Sequence, residues 1–315
     1  MKAWKEPSSG RKDCMSFDVN TCKWVIWGAK RPYNTFGHIH DAYLRALKFM
    51  GKDVVWMEKG DDLSTIDFSN TLFIALADHM SGLPLVPTCF YVIHNALGTP
   101  FADYFKGLKV LHYGLYVSIN KGIVGAEIAP DMFFDANAPS LVFRWGTDLL
   151  PHEIESNKPT TAFNRESQVI NFVGTVYGDT LNSFARAAAN NGKKFLRYGD
   201  GVSIEDNVRL TKESYMAPAI QQPCHVDIGY VPCRLFKNIS YGQFGITNSP
   251  MSNAFFGGRL IFNTDTYRLF HDAKERLESM KVEELHGLMD EVAAKYTYLN
   301  KLDGIIKAVS LVEGR

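Results

Sequence analysis

The residues best suited to chemistry run from Arg234 to Ser249, inside Tyr230-Val-Pro-Cys-Arg-Leu-Phe-Lys-Asn-Ile-Ser-Tyr-Gly-Gln-Phe-Gly-Ile-Thr-Asn-Ser249. Pro232 suits the first turn of a helix, where a missing N–H costs nothing, and the N–H groups after it form the positive end of a helix dipole. Arg234 adds a planar fork of donors matched to phosphate oxygens, Lys237 supplies a second cation, and Gly242 can end the helix in a left-handed conformation. Residues 244–247 read as a short buried strand and 248–250 as a polar turn at its C-terminal end, the edge where open α/β sheets take ligands. That order of parts can hold a diphosphate. The plain alternative is an ordinary helix whose Arg234 and Lys237 face solvent.

Asn238, Tyr241, Asn248 and Ser249 lie close enough in sequence to line one wall of such a site, although Tyr241 also reads as core. The turn at 174–178 offers an opposing wall with Gly174, Thr175 and Tyr177. Gly174 has the best physical case, because a backbone approaching a phosphate tolerates no side chain. No D-x-D pair occurs in the chain. Magnesium and manganese want such hard oxygen ligands, so no metal cofactor is expected, and the leaving diphosphate falls to cations and helix N–H groups.

Transfer to a hydroxyl with inversion needs a base, whereas transfer with retention needs none, and the sequence is compatible with both. The loop after the first strand, 28–41, holds His38, His40 and Asp41 together. Histidine titrates near neutrality, and His38 and Asp41, three apart at a helix start, share a face on which the carboxylate could orient the imidazole. The alternative for Asp41 is to complement the helix dipole. Asp78, His79 and Glu127 compete for the base role. His94 and His112 close apolar runs and read as core histidines, and Lys30 and Arg31 as solvated loop charges.

These residues need a scaffold. Apolar runs at 23–27, 53–57, 71–76, 89–94 and 108–112 each end in polar or glycine residues, with an amphipathic helix at 38–50 stopped by Gly51. Runs buried on both faces belong to parallel sheets with crossover helices. A strand from 140 leaves this first half, and 151–165 reads as a linker. A second series opens with a strand at 168–173, a helix capped by Asp179, and strands at 194–198 and 259–262. Residues 282–312 carry helical spacing with a break near 300–304. The expected fold is α/β, with two Rossmann-like domains facing a cleft: an arm at 1–21, domains at 22–150 and 166–280, and helices at 281–315 packing back on the first domain. Ligands favour clefts between domains.

Lysine plus arginine number 34 and aspartate plus glutamate 34. That balance gives no field for a polyanion, so no nucleic-acid partner is expected. The five cysteines, Cys14, Cys22, Cys89, Cys224 and Cys233, form no C-x-x-C pair and read as reduced thiols. The N-terminus lacks an apolar leader and no run approaches a membrane span, so a soluble, cytoplasmic protein without a transmembrane segment is expected.

Residues 165–275 resemble the donor-binding half of GT-B glycosyltransferases, especially the CgeB-like group. The matching residues are Arg234-Leu-Phe-Lys237, Gly242 and Thr247-Asn248, with Phe172-Val-Gly-Thr175 resembling the first strand and loop of that half. Trp145-Gly-Thr-Asp148 resembles the segment entering the interdomain linker. The N-terminal half matches only in architecture. The resemblance implies a metal-independent hexosyl- or pentosyltransferase that moves a sugar from a UDP- or GDP-linked donor to a carbohydrate acceptor, with the base on the first domain. One departure stands out: the group commonly has a glutamate at the position of Lys237, expected to hold sugar hydroxyls, and lysine cannot accept those bonds. A catalytically silent nucleotide-sugar or glycan binding protein is the second reading. An epimerase or dehydrogenase is the third, and the lack of G-x-G-x-x-G after the first strand speaks against it.

Overall fold

In the computed structural model, described over residues 17–30, 35–96, 99–115, 125–159, 163–176, 178–199 and 201–314, the chain is an α/β protein built on two groups of parallel strands. The first half contains β1 (Lys23–Trp27), α1 (Thr35–Phe49), β2 (Val54–Met57), β3 (Thr71–Leu76), β4 (Phe90–His94), β5 (Lys109–Leu115), β6 (Ala126–Ala129), β7 (Met132–Asp135) and β8 (Ser140–Phe143). Its sheet runs β2-β1-β3-β4-β5-β8-β7-β6. The pairs from β2 to β8 are parallel, while β6, β7 and β8 form an antiparallel edge that the apolar runs did not announce.

Strands β3 and β4 are buried along their whole length, as expected for a sheet covered on both faces. Alternation along β1 divides the faces: Trp24 and Ile26 join the core under α1, and Val25 and Trp27 the core on the other side. The order β2-β1-β3-β4-β5 reverses direction at β1. In open α/β sheets such a switch point, at the strands' C-terminal ends, is where ligands bind.

The second half comprises α2 (Pro151–Ser156), β9 (Val169–Val173), α3 (Asp179–Asn190), β10 (Lys194–Tyr198), α4 (Ile204–Glu213), β11 (Pro218–Ala219), α5 (Pro223–Asp227), α6 (Cys233–Ser240), β12 (Ile246–Thr247), α7 (Pro250–Phe255), β13 (Ile261–Phe262), α8 (Thr266–Ser279), α9 (Val282–Lys295) and α10 (Tyr298–Glu313). Strands pair as β10-β9 and as β11-β12-β13, all parallel. The Tyr215 N–H donates to the Val169 carbonyl at 2.8 Å and so joins the two groups. Read across, this half repeats the order of the first.

Helix α10 returns to lie on α1, β5, β6 and β8, and α9 packs on α2 and α6. One apolar cluster consequently continues from beneath the first sheet into the second half. The break expected near 300–304 falls instead at Tyr296–Thr297, because Asn300 turns back to accept from the Thr297 N–H and hydroxyl at 3.0 and 2.8 Å. Gly304 stays helical and makes room for the Met132 side chain. Among the described residues no helix is long and apolar enough to cross a membrane.

Candidate functional site

Helix α6 starts where the sequence places it. Pro232 occupies the N-cap with extended backbone, and Gly242 follows the helix at φ +97°. Six of its eight residues are buried, and Arg234 is half-buried. The Arg234 Nε–H donates to the Val173 carbonyl at 2.8 Å and Nη1 to the Ile220 carbonyl at 3.2 Å, while the guanidinium lies 4.2 Å from the Phe172 ring centre. Val173 ends β9 and Ile220 directly follows β11, so the arginine sits at the C-terminal edge of two strands. Burial pulls its pKa below the ordinary guanidinium value. Among the described residues no carboxylate pairs with it.

Gly174 faces this cation. Its backbone is at φ +116°, its N–H donates to the Tyr198 carbonyl at 2.7 Å, and a Cβ here would collide with Arg234 Nη2. Glycine is required twice over, by conformation and by space. Thr175 is exposed beside it. Tyr177 lies outside the described residues.

The rest of the expected donor wall faces inward. Asn238 donates to the Ala217 carbonyl at 2.8 Å and ties α6 to β11. Asn248 accepts from the Gln221 N–H at 2.8 Å and donates to the Gln221 carbonyl at 2.9 Å, a buried clamp between β12 and the chain after β11. Ser249 is the N-cap of α7, accepting from Ser252 N–H at 3.2 Å. All three side chains take backbone partners in the fold, as buried polar atoms do, and so support the scaffold. Tyr241 is fully buried and donates to Asp148 Oδ1 at 2.7 Å.

Lys237 differs most from a solvated lysine. It is buried, and its Nζ stands 2.6 Å from Asp148 Oδ2. The lysine pKa is raised: burial opposes its charge, and the neighbouring Asp148 more than offsets that. Asp148 titrates below the usual carboxylate range because Lys237 and the Tyr241 hydroxyl outweigh its own burial. The sequence analysis assigns this aspartate no role, although it closes the 145–148 segment. That segment is where the halves meet. A Cβ on Gly146 would overlap the Tyr296 carbonyl, the Thr147 N–H donates to that same carbonyl at 2.8 Å, and the Thr147 and Ser240 hydroxyls are 2.6 Å apart.

From the first half, α1 brings His38 to this junction. Its Nδ1 is buried there and has no hydrogen-bond partner. Burial and Lys237 lower its pKa, while Asp148 and Val202 oppose them. His38 thus stays a neutral imidazole near neutral pH, the form a base requires. The expected His38–Asp41 pairing does not form. Asp41 has its carboxyl pKa raised by burial, against Arg45 one turn on and with Asp148 and Glu205 adding to the rise. Spacing along a helix puts two residues on one face, but the carboxylate acting on the imidazole comes from Asp148, distant in sequence. Arg45 secures this arrangement by donating to the Asp148 carbonyl at 2.9 Å and pairing with Glu153.

The competing candidates lie elsewhere. His40 fills the space beside Gly28, edge-on to Trp56, with its pKa lowered to about 4 by burial. His94 stacks on Tyr113 at 4.6 Å, and burial lowers its pKa to about 3. Glu127 accepts the Asp131 N–H at 3.0 Å in the β6–β7 turn. Lys30 pairs with Asp61 at 2.5 Å on an exposed loop.

The sequence matches no protein-family profile and no curated protein. Among solved structures, an apo structure of OtsA is similar at 9% identity with a TM-score of 0.43, over 87% of this chain and 77% of that one. Likeness at that level does not bear on function.

Proposed function

We propose that this protein is a GT-B-type glycosyltransferase that moves a sugar from a UDP- or GDP-linked donor to a carbohydrate hydroxyl. The observation that carries this reading is the Arg234 guanidinium, fixed by two backbone carbonyls at the ends of β9 and β11, facing Gly174 and lacking a carboxylate partner among the described residues. A half-buried cation without a counter-ion suits an anion, and a diphosphate leaving group is the anion such a sheet edge accepts. The His38 imidazole would take the acceptor hydroxyl's proton as that oxygen bonds to the anomeric carbon. The bond from that carbon to the diphosphate breaks, and the electron pair leaves with the phosphate towards Arg234. A base at His38 and a leaving group at Arg234 suit displacement with inversion.

Calorimetric titration with UDP and GDP tests the anion site. Arg234→Met should weaken binding by about 1.5–3 kcal/mol, the worth of charged hydrogen bonds, and His38→Gln should bind donor but transfer nothing. Unchanged affinity in a folded Arg234→Met protein would refute the reading. A silent binding protein is the second reading, favoured by one observation: Lys237 occupies the position of the family's acid and is held by Asp148. Donor binding without hydrolysis or transfer, across a panel of nucleotide sugars and acceptors, would establish it.

A further inference from the structure

The turn that faces Arg234 carries a second arginine on its other flank. Arg197, next to last in β10, donates from Nη2 to the Val176 carbonyl at 3.1 Å. Arg234 donates to the Val173 carbonyl at 2.8 Å, so two guanidiniums hold opposite ends of residues 173–176. Strand register relates the same two side chains a second way. Arg197 is the cross-strand partner of Phe172, which puts both on one face of the parallel pair, and the Phe172 ring carries the Arg234 guanidinium at 4.2 Å. Between them the Gly174 N–H donates to the Tyr198 carbonyl at 2.7 Å and ties the turn to the end of β10.

Arg197 is exposed, and among the described residues no carboxylate pairs with it or with Arg234. A guanidinium has five N–H donors in a planar fork, so the one bond to Val176 leaves most of the Arg197 fork unspent. The two carbonyls that hold the cations are three residues apart, at most about 11 Å along an extended chain, and the chain bends at Gly174. One phosphate meets one cation at this spacing, whereas two linked phosphates meet both.

We propose that Arg197 is a second phosphate ligand, which with Arg234 brackets the donor's diphosphate and fits the site to two linked phosphates instead of one. This rests on the anion site proposed above. The Val176 carbonyl sets where the Arg197 guanidinium stands, as the Val173 and Ile220 carbonyls do for Arg234, and a side chain already placed loses less freedom when the ligand arrives. Sequence alone gives Arg197 no such role, because a cation within an edge strand reads as its solvent face.

The experiment is calorimetric titration of the full chain with inorganic pyrophosphate and with orthophosphate, on wild type, Arg197→Met, Arg197→Gln and Arg234→Met. Arg197→Met should bind pyrophosphate about tenfold more weakly, the low end for a charged hydrogen bond because the side chain faces solvent. Its orthophosphate affinity should stay within about twofold of wild type, since Arg234 still holds one phosphate. Arg197→Gln keeps an N–H for the Val176 carbonyl but loses the charge, and it should lose pyrophosphate equally. UDP and GDP should follow pyrophosphate. Arg197 is exposed, so its truncation leaves the fold intact, which urea unfolding of the variants checks. Loss of both anions by the same factor in Arg197→Met overturns the proposal, since the arginine would then only brace the turn. Wild-type pyrophosphate affinity in either Arg197 variant overturns it as well, and a loss confined to Arg234→Met leaves the anion site standing alone. A wild type that binds none of pyrophosphate, UDP and GDP overturns the anion site and this proposal with it.

Discussion

Gly174→Ala tests whether the turn after β9 exists to admit the Arg234 guanidinium. Two separate costs follow from the coordinates. A side chain at φ +116° is strained whatever its surroundings, by about 1–3 kcal/mol. The new methyl also collides with Nη2 and must push the guanidinium off the Val173 and Ile220 carbonyls, forfeiting charged hydrogen bonds worth about 1.5 kcal/mol or more. Stability should therefore fall by about 3 kcal/mol, and UDP affinity by about 2 kcal/mol, roughly thirtyfold. In an Arg234→Ala background only the backbone strain remains. The stability cost of Gly174→Ala should shrink by about 1–2 kcal/mol there and its effect on binding should disappear, a coupling that a double-mutant cycle resolves. Equilibrium urea unfolding and calorimetric titration of the four proteins supply the numbers. Additivity in both measurements, within about 0.5 kcal/mol, would refute the claim that glycine is there for the arginine.

Other expectations follow from the buried polar groups. Lys301 is buried with no hydrogen-bond partner at Nζ, which lies 5.3 Å from the Phe143 ring centre and 5.8 Å from that of Tyr296. Burial lowers its pKa to about 8, against the pull of Asp131 and with help from Arg144. Below pH 8 both folded and unfolded lysine hold the proton and the whole penalty is present; above it the unfolded chain binds more protons, so wild-type stability rises towards pH 10.5. Lys301→Met should accordingly be about 3 kcal/mol more stable than wild type at pH 7, with the gap closing by pH 10; a flat wild-type profile between pH 8 and 10 in urea unfolding would count against it. Asn248→Ala strips both partners from the Gln221 backbone and should cost about 2–4 kcal/mol in thermal or urea unfolding. UDP affinity of the folded protein should be unchanged, and a large loss of affinity would return Asn248 to the ligand wall.

Much of the scaffold was legible because its signals are local. Apolar runs marked β1, β3, β4 and β9, Gly51 and Gly242 marked helix ends, and Pro232 with Arg234 marked the start of α6, since backbone conformation at such points is set by the residue itself. The short helices α2 and α7 begin in stretches read as linker and turn, and α5 lies in a stretch given no reading, because their proline starts resemble loop punctuation. The antiparallel strands β6 and β7 were missed as well; their four-residue length offers too little alternation.

The candidate site divides along the same line. Residue type alone singled out Arg234 as a candidate anion ligand, Gly174 as a position hostile to side chains, and His38 as a candidate base, because donor geometry, a missing Cβ and an intrinsic pKa belong to the residue wherever it sits. Charge partners do not. Only the folding of α1, the 145–148 segment and α6 onto one another decided that Lys237 meets Asp148 instead of solvent, that Asp148 and not Asp41 acts on His38, and that Asn238, Asn248 and Ser249 turn inward. Electrostatics and hydrogen bonds depend on distance in space, and contacts spanning ninety residues leave no trace in the local order of the chain.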